Sequence, residues 1–202
     1  MQSQRSNRVT CPATSRHPTP ASPPCPPPNP ALDGRLIQTA FITDDIHACM
    51  HELTRSVGVG PWFLRERGVF PRQVYRGQPA TTALAVALGY AGDMQFEVIQ
   101  QLDDSPSVYR EWVEKRSYGL HHFGMAVSDY SAARAHYQHS GRTLVYEAEV
   151  VHGARVGYFD AGGQAPAMIE LIEFLPATQA MFETFRAAAR NWDGTDPVRV
   201  RV

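Results

Sequence analysis

The chain has 202 residues and a formal net charge of -1, because 19 basic side chains face 20 acidic ones. It contains no run of basic residues, which excludes the electrostatic signature of a nucleic-acid-binding protein. It has no apolar stretch long enough to cross a membrane, and its three cysteines show no paired spacing, so we expect a cytoplasmic protein made of one domain or two small modules.

The N-terminal segment is dominated by proline. Nine of the sixteen prolines lie between residues 11 and 30, interleaved with small and polar residues. Such a composition cannot bury a core and favours extended polyproline conformations. We therefore expect residues 1–33 to be a disordered leader and residues 34–202 to form the folded domain. A ligand for a proline-binding module is the alternative interpretation of the leader.

Strand and helix patterns alternate after the leader. The predicted elements are a strand at 36–43, a helix at 46–56 that Asp44 or Asp45 could cap, and strands at 62–65, 82–90 and 94–100. Turn residues such as Gly58, Gly60 and Pro61 separate these elements. A first module, about residues 36–102, therefore has the order strand, helix and three strands.

The same order recurs in the second half of the chain. A strand at 120–127, a helix at 131–140 and strands at 143–149, 155–160 and 167–173 form a second module, about residues 118–175. A helix at about 106–116 is predicted to link the modules. A last helix, at about 178–192, has an apolar face suited to covering the sheet or a partner subunit, and residues 198–202 alternate as an edge strand does.

The predicted fold is α+β, with two tandem βαβββ modules that form one curled mixed sheet with a cleft and outer helices. The sequence leaves open whether the modules pair within one chain or across a homodimer.

Matched polar residues occupy the first and last strands of both modules. Gln38 and His122 stand in the first strands, while Glu97 and Glu170 lie among apolar neighbours in the last strands. An unpaired buried carboxylate is costly to desolvate, so these side chains need a common partner. A divalent metal is the simplest candidate, because the four residues supply three oxygens and one imidazole nitrogen. The residue types do not distinguish zinc, cobalt, nickel, manganese and magnesium.

The doubled module resembles the vicinal oxygen chelate superfamily. Residues 119–127, which include two adjacent histidines, and residues 103–112 are similar to the methylmalonyl-CoA epimerase branch. The four-residue ligand set is similar to that of zinc-type glyoxalase I. The epimerase pattern differs in three respects, because it has histidine where Gln38 stands, glutamine where Glu97 stands, and a glutamate before the third strand, where residues 78–82 contain no acid.

This resemblance implies an enzyme, a metal-dependent isomerase, epimerase or lyase that abstracts a proton next to a carbonyl group and stabilises the enediolate with the metal. By the same resemblance Glu170 is the catalytic base, and Glu97 is a second acid or base. The expected substrate is a small carbonyl compound or a thioester.

Two other functions are compatible with the same fold. A metal-free binding or resistance module would give the glutamates structural roles, and an extradiol-type dioxygenase would need two histidines and one carboxylate around iron. The candidate set has one histidine. Strand alternation places His121 on the side of Phe123, which predicts a core or supporting position, and His47 and His51 fit a solvated helix face.

Overall fold

The structure is a computed structural model and describes residues 34–160 and 166–201, so the predicted leader lies outside the described residues. The strands are β1 Arg35–Ile42, β2 Trp62–Val69, β3 Val74–Tyr75, β4 Gln78–Pro79, β5 Ala83–Ala91, β6 Met94–Gln101, β7 Gly119–Val127, β8 Thr143–Glu149, β9 Arg155–Asp160, β10 Met168–Glu173 and β11 Val198–Val200. The helices are α1 Ile46–Val57, α2 Val108–Arg116, α3 Tyr130–His139 and α4 Pro176–Ala189, with a 3₁₀ turn at Val151–Gly153.

All the described strands belong to one mixed sheet of order β11-β2-β5-β6-β1-β7-β10-β9-β8-β3-β4. β1 pairs in parallel with β6 and antiparallel with β7, so the two modules join within one chain. Each module places its first strand beside its own last strand, since β7 is parallel to β10 as β1 is to β6. The predicted α+β fold of two tandem βαβββ modules is thereby confirmed.

A short hairpin that the sequence did not predict shows how strongly the sheet curls. β3 and β4 have two residues each, and β3 pairs with β8 at the far edge from β2. The chain from Val69 to Val74 can span at most about 18 Å when fully extended. The two ends of the sheet must therefore approach each other, which makes its concave face a cleft.

Helices cover the convex face of the sheet, one for each module. Met50 of α1 packs with Trp62 and Leu64 of β2, while Tyr130 of α3 packs with Phe159 of β9. The side chains of Asp45 and Asp129 cap these two helices in the same way, each accepting a hydrogen bond of 2.9 Å from the backbone N–H three residues on. The repeated sequence pattern therefore produces repeated local structure.

The remaining two helices lie over the concave face. α2 contributes Tyr109 and Trp112 to the core cluster of that face. α4 packs on the sheet of the same chain, where the Phe185 ring stacks on the Phe63 ring with centroids 4.0 Å apart. β11 adds a parallel edge strand to β2. None of the described helices has both the length and the apolar character needed to cross a membrane.

Gly157 on β9 provides a test of how tightly α3 packs on the sheet. A Cβ atom at this position would lie 2.3 Å from the Tyr130 hydroxyl, which donates a hydrogen bond of 2.8 Å to Glu147. We expect Gly157→Ala to lower the free energy of unfolding by about 1–3 kcal/mol through overpacking. Urea denaturation measures this change.

The control for Gly157→Ala is Gly34→Ala, because a Cβ atom there meets its neighbours at an ordinary 3.5 Å. Adding Tyr130→Phe to Gly157→Ala should recover part of the loss, since it removes the clashing hydroxyl. Equal stability of the two alanine variants would contradict the packing of α3 described above.

Candidate metal centre

The register of the sheet places the four predicted ligands on one face. Glu97 of β6 and His122 of β7 both pair with Ala40 of β1, so they flank it in one row. Gln38 and Glu170 lie in the adjacent row, where both pair with one residue of β7. Because the rows are two residues apart along β1, all four side chains point to the concave side.

The β7 residue between Gln38 and Glu170 is Gly124. A Cβ atom on Gly124 would lie 2.6 Å from Oε1 of Gln38 and 3.0 Å from Cδ1 of Ile172. The absent side chain therefore leaves the space that the Gln38 amide occupies. The small residues Ala40 and Gly124 keep the centre of both rows open.

The four candidate donor atoms converge on one point. Nε2 of His122 lies 3.2 Å from Oε2 of Glu97 and 3.2 Å from Oε2 of Glu170. Its distance from Oε1 of Gln38 is 3.3 Å. Ligands held about 2.1 Å from one ion are about 3.0–3.4 Å apart in octahedral or tetrahedral geometry. Each of the three oxygens thus lies at this spacing from Nε2 of His122, and the candidate ligand atoms of Glu97, His122 and Glu170 all lie within 4.8 Å of one another.

The charges of this cluster favour a cation. Two carboxylates face one imidazole, and buried Oε2 of Glu97 has no hydrogen-bond partner. Burial raises the pKa of Glu97, and the nearby Glu170 raises it further while His122 opposes the rise. Burial lowers the pKa of His122, but Glu170 and Glu97 outweigh this effect and raise it to about 9. A divalent ion would compensate the buried negative charge of the two carboxylates.

Gln38 is held by a hydrogen-bonded chain that the sequence did not predict. Its Nε2 donates to Oε1 of Gln95 at 2.8 Å, and Nε2 of Gln95 donates to the Tyr90 hydroxyl at 2.9 Å. The amide oxygen of Gln38 is therefore turned toward His122. Gln95 stands two residues before Glu97, so its shared face could have been read from strand alternation.

His121 does not follow the alternation, and the prediction that it shares the side of Phe123 is wrong. The pairing between β1 and β7 shifts by one residue at this point, from Ala40 with His122 to Phe41 with Leu120. This bulge turns His121 to the concave side, where its Nδ1 lies 2.9 Å from Nδ1 of His122. The expectation that His121 belongs to the core and supports the site still agrees with its full burial.

The two histidines have unequal proton affinities. Burial and the neighbouring His122 lower the pKa of His121 well below its usual value, whereas the pKa of His122 is raised. These opposite shifts favour His122 as the donor in the contact between the two Nδ1 atoms. This hydrogen bond orients the ring so that Nε2 faces the carboxylates.

An aromatic cluster seals the site on the side of α2. The ring of His121 lies 5.4 Å from Tyr109, 5.3 Å from Trp112 and 5.4 Å from Tyr158, centroid to centroid. The hydroxyls of Tyr109 and Tyr158 lie 3.3 Å apart, and burial raises the pKa of both far above its usual value. These rings keep water away from the imidazole side of the centre.

A cavity of about 580 Å³ opens on the other side of the centre. Gln38, Glu97 and Glu170 form its polar floor, and α4 forms its roof. The walls are largely apolar and comprise Phe63, Phe70, Val86, Leu88, Val156, Ile172, Met181, Phe182 and Phe185. The cluster is thus accessible to a small molecule through a largely apolar cavity.

His47 and His51 are exposed on α1, as expected of a solvated helix face. They lie on the convex side and take no part in the cluster, because α1 packs against the opposite face of the sheet.

The contact between the two histidines can be tested directly. We expect His121→Phe to lower the free energy of unfolding by about 1–3 kcal/mol, because buried Nδ1 of His122 loses its partner. Long-range ¹H–¹⁵N NMR should show a protonated Nδ1 on His122 in the parent protein. The exposed His51→Phe change serves as the control, and equal stability of both variants would argue against the hydrogen bond.

The profile of the glyoxalase/bleomycin resistance protein/dioxygenase superfamily matches residues 37–159. A hypothetical protein from Bacillus halodurans is similar in structure, with a TM-score of 0.54 at 16% identity over 71% of this chain and 96% of its own. Methylmalonyl-CoA epimerase from Mycobacterium tuberculosis has a TM-score of 0.52 at 21% identity over 74% of this chain and 93% of its own. No curated protein matches the chain in sequence.

At these identities the solved structures show the fold alone, while the profile match covers more than half of the chain. The resemblance to the vicinal oxygen chelate superfamily is confirmed. The protein belongs to the glyoxalase/bleomycin resistance protein/dioxygenase superfamily.

Proposed function

We propose that this protein is a metal-dependent isomerase, epimerase or lyase that removes a proton from the carbon next to a carbonyl group. The observation that carries the proposal is the convergence of three side-chain oxygens, from Gln38, Glu97 and Glu170, on Nε2 of His122. The family membership and the cavity above these atoms support it.

The donor set fits a divalent ion. Two carboxylates and an amide oxygen suit hard ions such as magnesium and manganese, and the imidazole extends the range to zinc, cobalt and nickel. The proposed ligands are Gln38, Glu97, His122 and Glu170. When bound there, the ion would supply a Lewis acid for a carbonyl oxygen and positive charge for the enediolate that proton loss creates.

The two glutamates are the proposed acid and base. Glu170 removes the proton from carbon and holds it on its carboxylate, and Glu97 holds or returns a proton from the other side. They belong to β10 and β6, which are separated by β7 and β1, so they approach the centre from different modules. Burial raises the pKa of Glu97, a direction that suits a group that takes up and releases protons. Two such groups permit epimerisation or transfer of hydrogen to a neighbouring carbon.

The residues that line the cavity support a particular class of substrate. The apolar walls of the cavity suit a small carbonyl compound, and a thioester is an alternative supported by the fold shared with a methylmalonyl-CoA epimerase. The substrate carbon would lie above the polar floor. Exclusion of water by the aromatic cluster and α4 would strengthen the electrostatic interactions there.

A dioxygenase is less well supported by the cluster. Among the described residues, one group of three or more acidic, histidine or cysteine side chains lies close enough to hold a metal, and it contains a single histidine. The Nδ1 atom of His121 faces His122 and not the carboxylates. The second candidate is therefore a metal-free binding module. Measurement of the metal content distinguishes it from the proposed enzyme.

Metal content provides the first test. We expect the purified protein, after exposure to divalent ions and dialysis, to retain about one ion per chain by elemental analysis. Glu97→Gln and His122→Gln should remove most of it because each deletes a ligand. Gly124→Ala should weaken binding about 10- to 100-fold by displacing the Gln38 amide.

The matched control for metal binding is Glu66→Gln, which removes an exposed carboxylate from β2. It should leave the metal content unchanged. A parent protein without metal, whose melting temperature does not respond to chelation, would favour the binding module over the enzyme.

Proton exchange provides the second test. We expect the metal-loaded protein to exchange deuterium from solvent into a member of a panel of carbonyl compounds and acyl-CoA thioesters, as followed by NMR. Glu170→Gln should slow the exchange about 10²- to 10⁴-fold by removing the base. Metal content measured on the same sample separates loss of the base from loss of the ion. Absence of exchange across the panel would count against the proposed reaction.

A further inference from the structure

The distribution of charge in the cavity is uneven. Its two acidic residues, Glu97 and Glu170, belong to the floor, whereas Arg65 and Arg201 belong to the β2 and β11 side. The described residues that line the cavity contain no carboxylate on that side. A ligand lying across the cavity would therefore meet the metal centre at one end and guanidinium groups at the other.

Arg65 is the informative member of this pair. It is half-buried on β2, and no described residue forms an ion pair or a side-chain hydrogen bond with it. Neighbouring arginines are engaged, because Arg199 pairs with Asp196 at 3.2 Å and Arg201 lies over the Phe185 ring at 4.9 Å. A partly desolvated charge without a counter-ion, inside a ligand-sized cavity, is expected to acquire one from the ligand.

The sheet register places Arg65 at a useful distance from the centre. Glu97 pairs with Leu88, which pairs with Phe63, and Arg65 is two residues farther along β2 on the same face. Strand spacing and rise put the Cα atoms of Arg65 and Glu97 about 12 Å apart. The Arg65 side chain lies along β2 against Gly68, where its Cδ is 2.8 Å from the position that a Cβ atom would take. A ligand that extends along β2 from the row of Glu97 would therefore bridge the two charged ends.

We infer that the substrate carries a carboxylate or phosphate at the end remote from its chelating oxygens, and that Arg65 binds this oxyanion. This inference rests on the proposed function of the metal centre. The substrate would have a chelating head, a short apolar middle that contacts Phe63 and Leu88, and an anionic tail. Arg201 adds positive charge beside the tail, while Arg65 supplies the planar fork that matches two oxygens.

The test compares ligands that differ only in the charge of the tail. α-Ketoglutarate and α-ketoadipate have a chelating head and a distal carboxylate, and their ω-amides replace that carboxylate with a neutral carboxamide. We expect calorimetry on the metal-loaded protein to show at least about 10-fold tighter binding of an acid than of its amide. An analogue with a distal phosphonate distinguishes a phosphate-selective site from a carboxylate-selective one.

Variants of Arg65 test whether this residue produces the preference for the acid over its amide. Arg65→Gln should reduce the preference for the acid to about 3-fold or less, and Arg65→Lys should keep part of it because the charge remains without the fork. Arg67→Gln is the matched control, since this exposed arginine of the same strand does not line the cavity. Equal binding of acid and amide by the parent protein, or a preference that survives Arg65→Gln, would overturn the inference.

A second measurement separates this inference from the metal centre. The Nε–H signal of Arg65, assigned by its loss in Arg65→Lys, should shift in ¹H–¹⁵N NMR when inorganic phosphate is added, with or without metal. A protein that binds no divalent ion but shows this shift would refute the proposed function and support the anion site. A protein that binds the ion but shows neither the shift nor the tail preference would refute the anion site and leave the proposed metal centre supported.

Discussion

The antiparallel pairing of β1 with β7 is the constraint on which the site depends. It joins the two modules in one sheet, and it places Ala40 directly between Glu97 and His122. A slip of one residue in this register would send Gln38 to the opposite face and away from the other donors. The small side chains at Ala40 and Gly124 are part of the same constraint, because a larger residue would fill the space where the donor atoms meet.

The concave face is divided into a packed half and an open half. α2 fills the packed half with Tyr109 and Trp112, which enclose His121. α4 leaves a cavity above Glu97 and Glu170 and supplies its roof. The imidazole side of the centre is therefore fully buried and packed by aromatic rings, while the carboxylate side lines a cavity. A metal centre of the kind proposed above would benefit from this division, because it would have to hold its geometry and also exchange protons with a substrate.

The local structure was largely predictable. The repeated order of strand, helix and three strands follows from local patterns that each depend on a few neighbouring residues. The same patterns predict a helix cap at Asp44 or Asp45, and the structure has it at Asp45. Alternation within each strand places Glu97 and Glu170 opposite their own apolar neighbours. The hairpin of β3 and β4 was missed because it is two residues long and its partner, β8, is far away in the sequence.

The sequence by itself determined the two modules, because their strands and helices follow local periodicity, and its motifs supplied the family resemblance and the four candidate residues. Only the tertiary structure decided that the modules pair within one chain, that a bulge turns His121 inward, and that α4 encloses the cavity. It also placed Arg65 across from the carboxylates. These features depend on register between distant strands, and the free energy that selects a register comes from packing that no local pattern contains.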